Sequence, residues 1–228
     1  MTKKYPLITL ALFCTFTCFS QSSIGVFGGV QSTTASYKVR DKKQTTSSKL
    51  GGQFGLTLKI PFDNQLFFSP VVGYSMKGFS VQLTDTASIP GKNVVHNNLS
   101  VHSIDIAPLF HVDLSKAPSH LFVRFGPSVD VAFKGREKLT LKDGKLEERA
   151  MQFGSAYYSP ITTTAVVHFG FETQGGFFVF GHYNQGLGSM NNSDFGPKAR
   201  HRAFGLSLGT YFGRRNPNVM DTRALDAK

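Results

Sequence analysis

The sequence predicts an all-β protein, a closed antiparallel up-and-down transmembrane β-barrel of about eight strands. Three observations predict it. First, about eight strand-like stretches are separated by seven gaps that alternate long and short along the chain; the long ones run Ser32 to Gly51, Gly78 to Asn97, Gly135 to Tyr157 and Gly186 to Arg200, and the short ones Pro61 to Gln65, Asp113 to His120 and Glu172 to Gly176. A membrane barrel has this layout, with tight turns on the periplasmic side and extended loops outside. Second, apolar residues recur with period two for up to a dozen residues, more than a half-buried soluble strand needs, whereas a tilted membrane strand spans with roughly 9 to 11. Third, 22 Phe, 7 Tyr and 23 Gly favour pleated surfaces and close approaches. A mean hydropathy of −0.12 and 40% hydrophobic residues are too polar for a helical membrane protein but ordinary for strands that are apolar on alternate residues.

The elements follow in order. Residues 1–20 read as a secretory signal: Lys3 and Lys4 precede an apolar run from Leu7 to Phe19, too short to span, with cleavage expected after Ser20. Lipidation at Cys18 is disfavoured by Phe16 and Thr17 ahead of it. Both cysteines, Cys14 and Cys18, fall inside this segment, so the mature chain is held by burial and closed hydrogen bonding rather than by disulfides. Residues 21–212 form the barrel domain. Its first strand precedes Ser32 and carries Gly28-Gly29. The second places Phe54, Leu56, Leu58 and Ile60 on one side and Gly55, Thr57 and Lys59 on the other. A third fits between Gln65 and Gly78. In the fourth, His102, Ile104, Ile106, Pro108 and Phe110 share a phase while Leu99 and Val101 fall in the other, so a bulge near Ser100 to Ser103, or a strand that leaves the membrane there, is expected.

The fifth strand, Leu121 to Lys134, sets Leu121, Val123, Phe125, Pro127, Val129, Val131 and Phe133 against Arg124, Gly126, Ser128, Asp130 and Ala132. A sixth lies between Tyr157 and Glu172. The seventh, Phe177 to Asn184, is apolar on both sides at first, and only His182 and Asn184 mark its lumen face. The eighth turns Phe204, Leu206, Leu208 and Phe212 outward and Ala203, Gly205, Ser207 and Gly209 inward. Residues 213–228 are a polar, charged tail, read as a disordered periplasmic extension or a contact for a periplasmic partner.

The chain resembles the small outer-membrane β-barrels of Gram-negative bacteria of the porin-family or PorT-like type, which share an OmpX-like up-and-down fold. The resemblance is carried by Gly28-Gly29, Gly126-Pro127, Tyr183-Asn184-Gln185-Gly186-Leu187 and Gly209-Thr210-Tyr211-Phe212, in that order and spacing. Two departures stand out: Ile104-Asp105-Ile106-Ala107-Pro108 displaces the proline of a Leu-Glu-Ile-Pro run, and sixteen residues follow the terminal aromatic Phe212, where many such barrels end. The resemblance implies an outer-membrane location, insertion by the barrel assembly machinery, and a role in a secretion or motility assembly.

The expected role is that of a non-enzymatic barrel that stabilises the outer membrane or presents its loops to a partner, and the lumen is the nearest thing to a functional site. Lys59, Asp105, His111, Arg124, Asp130, His168 and His182 fall on the lumen phase as a polar network. In so narrow a barrel they form either a salt-bridged core or the wall of a narrow path for ions or small solutes. Without Lys3 and Lys4 the 25 basic residues fall to 23 against 14 acidic, a surplus of nine. Much of it sits in loops, at Lys38, Arg40, Lys42 and Lys43 and at Lys134, Arg136, Lys138, Lys142 and Lys145. Such loops suit the anionic lipopolysaccharide of an outer leaflet, a protein partner, or solubility alone. Nucleic acid is not expected for an exported chain. No catalytic residue is assigned: His102-Ser103 puts its pair on opposite faces, and Ser100 and His102 are two apart only where the phase breaks. A lipid-modifying enzyme is therefore the least favoured class. The seven histidines show no metal spacing, and no metal or cofactor is expected.

Overall fold

A computed structural model describes residues 22–84, 93–154, 157–192 and 196–213. The expected signal and the tail beyond Gly213 lie outside them. Among the described residues ten strands follow in chain order: β1 (Ser23–Val39), β2 (Lys42–Lys43), β3 (Thr45–Asp63), β4 (Leu66–Gln82), β5 (Val94–Asp113), β6 (His120–Leu141), β7 (Leu146–Ala150), β8 (Ile161–Glu172), β9 (Phe177–Gly186) and β10 (Lys198–Phe212). Eight form an antiparallel ring, β1-β3-β4-β5-β6-β8-β9-β10, which closes because β10 pairs back on β1 from Ile24 opposite Phe212 to Lys38 opposite Lys198. Closure leaves no sheet edge to face lipid, where an unpaired backbone group costs several kcal/mol. The short β2 folds back on β1 through Arg40 and Asp41, both with positive φ, as a tight hairpin turn requires, and β7 folds back on β6.

The faces alternate in the expected phase. Phe54, Leu56, Leu206 and Leu208 are exposed on the outside, while Thr57, Lys59, Ser207 and Arg124 are buried in the lumen. On β9 the inward set is Phe178, Phe180, His182 and Asn184, so the apolar start of that strand is two phenylalanines filling the lumen. They fit because Gly209 faces them: a Cβ there would lie 2.3 Å from the Phe178 ring and 2.5 Å from the Val26 carbonyl oxygen.

Strands reach far beyond the expected boundaries. β5 has 20 residues and β6 has 22, about twice the ~9–11 that a tilted span needs. Most of what the sequence reads as long loops is strand: β1 continues to Val39, β3 begins at Thr45, β4 reaches Gln82 and β6 reaches Leu141. The physical reason is an inversion of the apolar face. At membrane depth the apolar residues point out. Beyond it they point in, and Ala35, Tyr37, Val39, Phe79, Val81, Leu99, Val101, Leu139, Met151 and Ala199 build a dry core, while Ser32, Thr34 and Ser36 turn outward.

The same inversion explains the fourth predicted strand. β5 keeps one phase from Asn97 to Asp113, with no bulge of its own; Leu99 and Val101 are inward because the strand has left the membrane. The extra residue belongs to its neighbour. Pairing passes from His102 opposite Lys134 to Ser103 opposite Ala132, which leaves Phe133 of β6 unmatched and moves that strand's inward set to Gly135, Glu137 and Leu139.

Candidate functional site

Viewed from the short-turn end, the lumen is a stack of layers. The first holds Lys59 from β3, His111 and Asp113 from β5, His120 from β6 and Glu172 from β8. The Lys59 ammonium lies 2.9 and 3.0 Å from the two Asp113 oxygens and 2.9 Å from Glu172 Oε2, with the Phe67 ring beneath it at 4.4 Å. His111 Nε2 is 2.6 Å from Asp113 Oδ1.

The second layer centres on Arg124, whose side chain is completely buried. It donates from Nε to His111 Nδ1 at 2.9 Å and from a terminal nitrogen to the Tyr211 hydroxyl at 2.7 Å. The guanidinium sits over Phe122 at 4.6 Å and faces Phe178 at 5.2 Å and Phe180 at 5.6 Å. An arginine suits this position, since its weakly hydrated planar cation tolerates aromatic walls better than an ammonium does. The other face of the aromatic group carries His168, stacked on Phe180 at 4.6 Å.

The third layer is neutral. His182 contacts Gln31 Oε1 at 3.4 Å and Gln53 Nε2 at 3.3 Å, and the two glutamines donate onward to Ser75 and Ser207. The fourth is charged again. Asp105 and Asp130 face each other across the β5–β6 pair, and Lys77 of β4 bridges them at 3.0 and 2.9 Å. Asp130 also accepts from Ser128 and Thr164 and approaches His201 at 3.4 Å. Above it comes the dry core, capped by Glu137, which is 1% exposed and binds Arg149 Nε at 2.6 Å, Tyr158 and Asn97. Burial, then the charge of Glu137, push the Tyr37 and Tyr158 hydroxyls well above the usual phenol range, so both stay protonated and Tyr158 donates to Glu137.

All seven lumen residues named from the sequence point inward, but they do not form one cluster. Lys59, His111 and Arg124 belong to the two lower layers, His168 and His182 to the middle, Asp105 and Asp130 to the fourth. Lys77, Asp113, His120, Glu172, Tyr211 and His201 complete these layers and are not among the lumen residues that the sequence pattern picks out. Period two would have found several of them: it runs from His111 to Asp113, from Arg124 through Phe122 to His120, and from His168 to Glu172. These sit at strand ends that the sequence presents as turns.

One cavity of about 20 Å³ touches Lys77, Asp130 and His201, and another of about 40 Å³ touches Gln53, Asp105, His168 and Asn184. Each has room for about one water.

On the outside, Ser100 and His102 share the outward face of β5, contrary to the phase break expected there. They do not form a nucleophile and base pair: Ser100 Oγ receives Lys49 Nζ at 2.6 Å, and His102 Nδ1 is bonded to the Tyr74 hydroxyl. Just past the apolar belt, β6 carries Lys134, Arg136 and Lys138, with Glu148 3.2 Å from each of the last two. Lys198, Arg200 and Arg202 follow one another along the outer face of β10, beside Lys38.

A model of the outer membrane protein beta-barrel domain matches residues 19–192. No curated protein sequence matches the chain. Among solved structures, it is similar to the attachment invasion locus protein Ail of Yersinia pestis (13% identity, 84% of this chain and 99% of that one, TM-score 0.44). It is also similar to Neisserial surface protein A (12%, 84% and 99%, 0.44) and to OprG of Pseudomonas aeruginosa (10%, 84% and 96%, 0.44).

Proposed function

We propose, from the premise that this chain belongs to the outer membrane protein beta-barrel domain family and lies in the outer membrane, that it is a sealed, non-enzymatic barrel whose work is done by its extracellular extension. The filled lumen carries this reading. Two ionic layers, an aromatic layer around Arg124 and a dry core follow one another along the axis, and the cavities between them admit about one water each. An ion crossing this lumen would have to break the Lys77 and Lys59 bridges, each buried and each bound to two carboxylates.

The extension gives the barrel something to present. Strands that reach about twice the spanning length in β5 and β6 hold the connections clear of the lipid on a hydrogen-bonded wall that runs β10-β1-β3-β4-β5-β6-β7. The basic row Arg202, Arg200, Lys198 and Lys38 on its outer face suits the phosphates of lipopolysaccharide. The PorT-like resemblance extends the reading to a subunit of a secretion or motility assembly, engaged through the loops or the tail. Planar bilayers test it: the purified protein should give no stable conductance steps, whereas regular steps that change when Lys77 is replaced would establish the competing narrow channel.

A further inference from the structure

The short-turn mouth of the lumen carries a donor set that the ion-pair description does not exhaust. Three groups able to bind a metal together, His111, Asp113 and Glu172, converge there, and His120 stands beside the two carboxylates; all four are buried. Their hydrogen bonds sort them into two kinds.

The proton of His111 is placed by its neighbours. Arg124 can only donate, so the Nδ1 that receives it carries a lone pair, and the ring proton sits on Nε2, directed at Asp113 Oδ1. His111 therefore orients Asp113 and has no free lone pair of its own. His120 is the reverse case. Its Nδ1 lies 3.0 Å from the Ala117 carbonyl oxygen, which can only accept, so Nδ1 carries a proton and Nε2 is the nitrogen that can offer a lone pair.

That nitrogen is fully buried, has no hydrogen-bond partner among the described residues, and is aimed into the cluster. It lies 3.0 Å from Asp113 Oδ1 and 3.8 Å from Glu172 Oε2. A lone pair facing a carboxylate at this distance is repulsive unless a positive charge sits between them. Two donors on one metal, with bonds of about 2.0–2.2 Å, stand roughly 3–3.5 Å apart.

We propose that this mouth is a divalent transition-metal site of the zinc type, with His120 Nε2, Asp113 and Glu172 as ligands and the Lys59 ammonium as the resident cation that the metal displaces. One imidazole and two carboxylates suit zinc, and the Nδ1 proton given to a backbone carbonyl is the outer contact that metal-bound histidines usually make. Lys59 already neutralises the carboxylates from the position a metal's charge would take, and its flexible stem can swing into the periplasm. Asp113 ends β5 and His120 begins β6, so an ion reaches the site from the periplasm without crossing the lumen. This inference does not rest on the lumen being sealed.

The test is a titration of the metal-stripped barrel, folded in detergent, with zinc chloride, followed by calorimetry and by the unfolding midpoint. Wild-type protein should bind one zinc and melt several degrees higher in excess metal. His120→Ala should keep the heat-modifiable mobility of a folded barrel yet bind at least tenfold more weakly, and Glu172→Gln should do the same. Lys59→Met should bind more tightly than wild type, because nothing has to leave. Cobalt should give visible absorption bands that His120→Ala lacks. Zinc binding of equal strength in wild type, His120→Ala and Glu172→Gln, or none in wild type, overturns the proposal.

Discussion

Replacing Arg124 by alanine tests whether the lower lumen is a charge-balanced plug. The two lowest layers hold two permanent cations, Lys59 and Arg124, and two carboxylates, Asp113 and Glu172, all buried. Arg124 binds a ring nitrogen and a phenol through its two hydrogen bonds, so its electrostatic role is exerted through His111 on Asp113 and through the overall tally. Its removal leaves this region one negative charge in excess. A buried group left uncompensated costs about 3–5 kcal/mol, and the lost contacts with Phe122 and Phe178 deepen the deficit by about 0.5–2 kcal/mol. The expected loss is therefore at least about 3 kcal/mol. The chain has no tryptophan, so far-UV circular dichroism in detergent, or the temperature at which the compact band disappears on a gel, is the suitable readout. Arg124→Met, which keeps much of the volume without the charge, should recover only the packing share. An unchanged midpoint in Arg124→Ala would show that the guanidinium is solvated and that the layered plug does not exist; altered conductance with intact stability would point to a channel.

Two further outcomes are expected. Leu206→Arg sets a cation on the lipid face and should cost about 2–4 kcal/mol near the midplane, seen as a loss of assembled barrel in the membrane; assembly equal to wild type would refute the assigned phase. A protease applied to intact cells should cut near Lys42 or Lys145 and spare the turn at Asp63-Asn64, and cleavage at that turn without membrane disruption would reverse the orientation.

The ring of eight strands and the lipid face were legible because the outward pattern is set by one simple demand, that lipid meet apolar side chains. Phe54, Leu56, Val129 and Leu206 satisfy it without reference to any neighbour. The lumen phase was legible for the same reason, as its complement. Counting back through the short turn from Asp113 to His120 sets His111 beside Arg124 and Asp105 beside Asp130, as the structure has them; what the sequence did not show was which groups meet across more distant strands. That depends on shear between strands: Lys77 lies between Asp105 and Asp130, and Lys59 reaches from β3 to β5 and β8. The mouth cluster was hidden twice over. Its members come from different strands, so no ligand spacing appears along the chain, and Asp113, His120 and Glu172 stand where strands give way to turns.

The extension beyond the lipid was hidden by a change of solvent. A strand in lipid is apolar outside and polar within; once the same strand enters water its demands reverse, and the apolar residues move to the other phase. β1 changes from Ile24, Val26 and Val30 facing out to Ala35, Tyr37 and Val39 facing in, with no break in pairing against β10. β5 does the same between Ile104 and Val101. Read at constant phase, the pattern looks broken and the strand appears to end. Read as a crossing of the membrane surface, the reversal marks where the lipid stops. In β6 the unmatched Phe133 falls at that boundary, with apolar Val131 and Val129 on one side and Lys134 and Arg136 on the other. The bulge there shifts the inward phase of β6 by one residue, so that Leu139 joins the dry core and Lys138 stays in water.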